Sequence, residues 1–286
     1  MLSMSSITIR LILKGILIFM VTISTCFANK LIVDHKTISY TDTGSGKPLV
    51  LIHAFPTDKQ LWNQQIDPLK KHFRVITLDL WGFGESSPTD GKAITMTQYA
   101  DEINALLSHL HIQHAIIGGE SMGGYISLAF LSAYPEKING LILADTQSIA
   151  DNADTKKKRE ASAQDVLEHG TKGLINGFMP KTLSSQASEK TKSFLQDIMQ
   201  RQSATGIASA LRGMALRQDM SSTLAATASP VLIITGEQDV LVSPQQSHDM
   251  HALAKNSQLV IIKNAGHLSN LEQEDEWNKA VIEMFG

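Results

Sequence analysis

Ala115-Ile116-Ile117-Gly118-Gly119-Glu120-Ser121-Met122-Gly123-Gly124-Tyr125 is the stretch whose reading decides the fold. An apolar run of strand character ends in glycine, a serine stands at the apex, two glycines follow, and residues of helical character continue to Tyr134. A strand that turns abruptly into a helix strains its apex residue and brings the chain close to neighbouring segments. Positions two before and two after the serine therefore tolerate little side chain. In a chain with 19 glycines the G-x-S-x-G string is weak by itself; its place between strand and helix makes it informative. Such a turn exposes the serine hydroxyl at the carboxyl end of a sheet, beside the first amides of a helix.

Similar runs rich in Ile, Val and Leu recur at residues 49–52, 74–78, 140–144, 231–235 and 258–262, separated by longer stretches of helical character. That rhythm predicts an α/β fold, a mostly parallel sheet with helices on both faces. Residues 32–33 and 37–41 alternate and lead to the Gly44-Ser45-Gly46 turn, which predicts an antiparallel hairpin at the sheet edge and eight strands in all. Between residues 146 and 223 the strand rhythm stops, and helix formers are interrupted by Gly170, Gly173, Gly177, Pro180, Gly206 and Gly213. One crossover rarely needs that length, so a helical cap is expected at 146–223, between core parts at 29–145 and 224–286.

A serine hydroxyl becomes a nucleophile near neutral pH only with a base, and the base needs an orienting acid. His267 lies in Asn264-Ala265-Gly266-His267, directly after the apolar run Leu259-Val260-Ile261-Ile262. Asp239 lies in Gly236-Glu237-Gln238-Asp239, directly after Val231-Leu232-Ile233-Ile234. Both therefore stand at carboxyl ends of strands, on the edge that carries Ser121, in the order Ser, Asp, His. His169, His248 and His251 are weaker candidates for the base. Asp145, after the strand ending at Ala144, and Glu237 compete for the acid. Glu272 reads as a residue that caps or solvates the last helix.

A tetrahedral intermediate needs donors aimed at its oxygen. The Met122 amide directly follows the nucleophile, and the second donor is expected from His53-Ala54-Phe55-Pro56, where Phe55 is chosen because Pro56 has no amide hydrogen. The substrate pocket is expected between the sheet edge and the cap, with the side chains of Phe55 and Met122, then Leu241 or Val242, beside the reacting groups. Some of Leu174, Phe178, Met179 and Leu183 would close it, and Trp81 would add an aromatic wall or serve in packing. Those residues are uncharged and favour a neutral substrate. Arg201, Arg212 and Arg217 are the cap arginines able to reverse that if they turn inward.

With 43% hydrophobic and 19% charged residues and a net charge of -3, the composition excludes disordered and collagenous classes and gives no sign of a nucleic-acid partner. The basic run Lys156, Lys157, Lys158 and Arg159 reads as a solvated helix face. The histidines form no HExxH helix and no G-x-G-x-x-G fingerprint occurs, so neither metal nor organic cofactor is expected. At the N-terminus, Arg10 and Lys14 precede an uncharged apolar stretch that closes on small residues at Ala28. This order predicts an export signal at residues 1–28 and a periplasmic or secreted enzyme without a stable membrane span. A retained N-terminal anchor and lipidation of Cys26, the one cysteine, are the alternatives.

These segments, together with Gly44-Ser45-Gly46-Lys47-Pro48, Asp79-Leu80-Trp81-Gly82-Phe83-Gly84-Glu85-Ser86 and Ala144-Asp145-Thr146, resemble the α/β-hydrolase family over nearly all of residues 31–286. The resemblance is to its cap-bearing esterases and enol-lactonase-like members. It implies a triad of Ser121, Asp239 and His267, an oxyanion hole at Phe55 and Met122, an acyl-enzyme and a small ester or lactone substrate. Lactone or thioester hydrolysis, or a non-catalytic binding role, are the alternatives. Ser121 stands where the family's dehalogenases and epoxide hydrolases carry aspartate, and Met122 where its proline iminopeptidases normally carry tryptophan. Ala54 replaces the glycine usual after the first histidine of the oxyanion loop, which implies a slightly displaced loop. Gln147 stands where related cap-bearing members often carry arginine, which weakens a dicarboxylic lactone as substrate.

Overall fold

Alternate residues of the central strands face opposite layers of the protein. In β3 (Lys47–Ile52), Leu49 and Leu51 join one apolar cluster while Val50 and Ile52 join another, and β6 (Ile138–Ala144) divides in the same way. A strand buried on both faces must be apolar throughout, which is why these runs do not alternate with polar residues. The computed structural model describes residues 28–286. The expected export signal therefore lies outside the described residues apart from Ala28, as does Cys26.

The other strands are β1 (Asn29–Val33), β2 (Lys36–Gly44), β4 (Phe73–Asp79), β5 (Ala115–Glu120), β7 (Val231–Gly236) and β8 (Ser257–Ile262). They form one eight-stranded sheet in the order β1-β2-β4-β3-β5-β6-β7-β8. The β1–β2 and β2–β4 pairs are antiparallel and the rest parallel. The edge hairpin expected from the sequence is present. Its turn, however, is at Asp34 and His35, both with positive φ; Gly44-Ser45-Gly46 instead carries the chain from β2 across β4 to β3.

Among the described residues, eleven α-helices accompany the sheet: α1 (Asn63–Leu69), α2 (Met96–His109), α3 (Met122–Ala133), α4 (Ala153–His169), α5 (Lys172–Phe178), α6 (Glu189–Gln200), α7 (Ala204–Ala215), α8 (Ser221–Ala226), α9 (Pro244–Leu253), α10 (Ser269–Glu272) and α11 (Glu274–Phe285). Tyr99 and Ile103 of α2, Ile126 and Phe130 of α3 and Met250 of α9 fill one layer, while Trp62, Trp277, Val281 and Phe285 fill the other. Helices α4 to α8 all fall between β6 and β7, with no strand among them. Side-chain caps start three of them: Asn152 accepts from the Thr155 amide, Ser188 from Thr191 and Ser203 from Gly206. No helix among the described residues is long and apolar enough to cross a membrane.

Candidate active site

Ser121 has φ 55° and ψ -110°, a backbone conformation that a residue with a side chain adopts only when its surroundings hold it there. The holding groups are visible. The Ser121 amide donates to the Ala144 carbonyl at 2.8 Å, and the Ser121 carbonyl accepts from the Thr146 hydroxyl at 2.8 Å. A Cβ at Gly119 would overlap the Gly123 carbonyl carbon, and one at Gly123 would overlap the Ile52 carbonyl oxygen. The motif glycines are thus required by backbone approaching backbone.

The turns after β7 and β8 bring their polar side chains to this apex. His267 Nε2 lies 2.7 Å from Ser121 Oγ, and Nδ1 lies 2.7 Å from Asp239 Oδ2. Asp239 Oδ1 accepts the Leu241 amide at 2.8 Å and the Val242 amide at 2.9 Å, which holds the carboxylate in place. With the Nδ1–H donating to Asp239, Nε2 carries the lone pair that accepts the serine proton. Burial pulls the His267 pKa down, but the hydrogen bond and charge of Asp239, helped by Asp145, outweigh it and hold the ring above its ordinary value.

Asp145, the competing acid, faces other partners. Its Oδ1 accepts the Gly236 amide at 2.7 Å and its Oδ2 accepts the Ser269 hydroxyl at 2.5 Å, so it joins the loop bearing Asp239 to the loop bearing His267. Glu120 is buried beside it, and no other side chain or amide donates to either Glu120 oxygen. Burial and then the Asp145 charge push Glu120 well above the carboxylate range, while burial pushes Asp145 up to about 6. A proton retained by Glu120 and donated to Asp145 resolves two carboxyl groups in one buried place.

Of the expected oxyanion donors, Phe55 lines the same cavity as Ser121, and Met122 follows the serine as the first residue of α3. Among the described residues, no backbone carbonyl or side chain accepts from the Phe55 or the Met122 amide. Around Ala54 the loop is held by local bonds: the Ala54 carbonyl accepts from the Thr57 amide at 3.0 Å, the Thr57 hydroxyl at 2.7 Å and His53 Nδ1 at 3.0 Å. Burial outweighs the attractive groups around His53 and lowers its pKa, so the ring is neutral and its Nε2 accepts the Leu80 amide at 3.2 Å.

A cavity of about 750 Å³ opens over Ser121 and His267. Phe55, Leu174, Phe178, Leu241 and Val242 line it as expected, and Phe55 meets the Phe178 ring edge-on at 5.8 Å. Three expectations are corrected. The Met122 side chain does not line the cavity, because it is wholly buried in the core cluster that α3 shares with the sheet. Met179 and Leu183 line a separate cavity of about 550 Å³ with Val240. Trp81 is turned away beneath Lys36, whose ammonium lies 4.4 Å from the ring centre, while its amide donates to Glu102.

The cavity walls are also not uniformly neutral, since Lys158, Arg159, Lys181 and Asp165 line them. The three arginines singled out from the sequence do not. Arg212 pairs with Glu160 at 2.7 Å, Arg201 with Asp58 at 3.3 Å, and Arg217 with Asp151 at 2.7 Å. Arg159 departs from the solvated face expected for the basic run; the one sequence signal for an inward face was its helical spacing from Ala163 and Val166, both fully buried. Among the described residues there is no group of three or more His, Cys, Asp or Glu side chains placed to hold a metal ion.

The elbow at Ser121, reached by a carboxylate from the end of β7 and a histidine from the end of β8, defines the class of protein. The chain belongs to the alpha/beta hydrolase fold family, whose model matches residues 47–274. It is similar to 3-oxoadipate enol-lactonase 2 of Acinetobacter baylyi, with 29% identity over 266 residues that cover 89% of this chain and 95% of that one. It is also similar to the AB hydrolase superfamily protein YisY of Bacillus subtilis, with 28% identity over 268 residues that cover 87% and 96%. Among solved structures, a thermophilic esterase of Thermogutta terrifontis, with malate bound, superposes with a TM-score of 0.87 at 31% identity, covering 90% of this chain and 97% of the esterase.

Proposed function

We propose that this chain is a serine hydrolase that cleaves small or medium carboxylic esters through an acyl-enzyme on Ser121. The observation that carries the reading is the unbroken series from Ser121 Oγ to His267 Nε2 and from His267 Nδ1 to Asp239, each step 2.7 Å, opening on one cavity. His267 takes the serine proton as Oγ attacks the ester carbonyl, and the Phe55 and Met122 amides donate to the oxyanion. His267 then gives its proton to the departing alcohol. Water, deprotonated by the same nitrogen, attacks the acyl-enzyme and releases the acid. His267 moves every proton in this cycle, which calls for no metal or organic cofactor.

The similarity to an esterase at 31% identity supports esters as substrates. A lactone is an internal ester and follows the same steps, and the similarity to an enol-lactonase supports that second reading. We also propose that the enzyme is exported. Cleavage after Ala28 would leave β1 (Asn29–Val33) whole at the start of the sheet.

The test is to treat the purified chain with 4-nitrophenyl butyrate and, separately, with a fluorophosphonate. Ester turnover and one adduct mapping to Ser121 are expected. Absence of both ester turnover and an adduct on Ser121 would overturn the proposal.

A further inference from the structure

The cap presents the cavity with a positive charge that the protein itself does not balance. Asp151 is the partner of two guanidinium groups: it pairs with Arg159 Nε through Oδ2 and lies 2.7 Å from Arg217 Nη2 through Oδ1. The side chains of Asp151 and Arg217 are 2% and 4% exposed, and that of Arg159, 19% exposed, is the part of the cluster that reaches the cavity. Arg217 Nη1 donates to the Ile149 carbonyl, its Nε has no acceptor, and its guanidinium lies 4.1 Å from the centre of the Tyr125 ring. The next carboxylate, Asp219, is exposed and accepts the Ser221 amide. Arg159 Nη1 meets only the Met214 sulfur, at 3.5 Å, a weak acceptor.

A buried cation with unused N–H groups carries a desolvation cost that a second anion offsets. Of its three charged groups, Arg159 is the one that lines the cavity shared with Ser121 and His267. Lys158 and Lys181 line the same walls, against one carboxylate, Asp165, which lies 3.0 Å from His169 Nδ1. A guanidinium whose orientation is set by one carboxylate presents its remaining donors in a defined plane, the geometry that suits a second carboxylate.

From these contacts we infer that Arg159 forms an anion-binding subsite and that the substrate carries a carboxylate in addition to its scissile ester. The inference rests on the ester-hydrolase reading and narrows its substrate class. It replaces the neutral pocket expected from the sequence. The apolar wall of Phe55, Phe178, Leu241 and Val242 takes the carbon chain, and Arg159, on α4, takes the charged end.

Kinetics on matched esters test this directly. 4-Nitrophenyl pentanoate is the neutral reference; 4-nitrophenyl hydrogen glutarate places a carboxylate on the acyl chain, and 3-carboxy-4-nitrophenyl pentanoate places one on the alcohol. One of the two charged esters is expected to exceed the neutral ester in kcat/KM by about tenfold or more, the scale of one charge-assisted hydrogen bond. Arg159→Gln should cut that preference about tenfold, chiefly through KM, and Arg159→Lys should retain part of it. Lys157→Gln, exposed on the same helix and outside the cavity, should leave the preference unchanged. Glutarate should inhibit the wild type competitively and raise its Tm, with both effects weakened in Arg159→Lys, so the subsite is read even if Arg159→Gln fails to fold. Preference for the neutral ester, or a preference that survives both Arg159 substitutions, would overturn the subsite. A protein that binds glutarate through Arg159 but is inert to every ester would instead overturn the hydrolase reading and leave the subsite standing.

Discussion

The Ser269 hydroxyl donates to Asp145 Oδ2 at 2.5 Å, two residues beyond His267, and this bond separates the roles of two carboxylates. Asp145 holds the histidine loop by its backbone and by Ser269, whereas Asp239 touches the imidazole itself. Asp239→Asn should therefore lower kcat on a chromogenic ester by about 10³-fold or more, through loss of the required tautomer. Asp145→Asn should lower kcat far less and chiefly lower Tm. Equal losses of kcat in the two folded variants would contradict this division.

Glu120 gives the fold a pH dependence of known sign. Its pKa is raised in the folded chain, so the stability tied to its proton is complete below the unfolded carboxylate value and is lost as pH rises through the folded value. Glu120→Gln keeps a donor toward Asp145 without an ionisable proton. Thermal unfolding should show the variant about 3 °C or more above the wild type at pH 9, with the gap closing toward pH 5. A gap that widens on acidification would show that the proton is not held there.

The acid limb of kcat/KM reports the base of the free enzyme. His267 acts only when neutral, and its pKa is raised, so the limb should lie above the ordinary imidazole value of about 6.5 when a neutral ester is used. In Asp239→Asn the raising groups are reduced while burial persists, and the limb of the residual activity should move to lower pH. A limb below the ordinary value in the wild type would contradict the hydrogen-bonded arrangement around His267.

Much of this architecture was legible in the sequence because it is local. The Ser121 turn, the Asp239 turn and the His267 turn each follow an apolar run immediately, and a parallel sheet delivers all such turns to one edge. What lay beyond reach depends on which way a side chain leaves its element. Trp81 follows a strand end closely, as Ser121 does, yet its ring lies under Lys36 and its amide donates to Glu102. Met179 differs from Phe178 by one position, and that step carries it round the helix end into a different cavity. Arg159 was hidden inside a basic run, where three neighbouring lysines suggested solvent. Its stripe with Ala163 and Val166 carried the contrary signal, and the partner that holds it, Asp151, lies outside the helix.

Export is decided at the N-terminus of the protein isolated from its own cells. Mass spectrometry should find a chain that begins at or close to Asn29, the first residue of β1. A chain that retains Met1 would contradict cleavage, and a diacylated Cys26 would replace it with a lipid anchor.

The central claim is that the hydroxyl of Ser121 forms and breaks the acyl bond. Its most direct measurement is turnover of 4-nitrophenyl butyrate by wild type and Ser121→Ala under identical conditions, with Tm confirming that both are folded. Loss of about 10⁴-fold or more in kcat is the predicted result, because the oxyanion amides and the cavity remain but no nucleophile does. A folded Ser121→Ala protein that hydrolyses the ester at the wild-type rate would contradict the account.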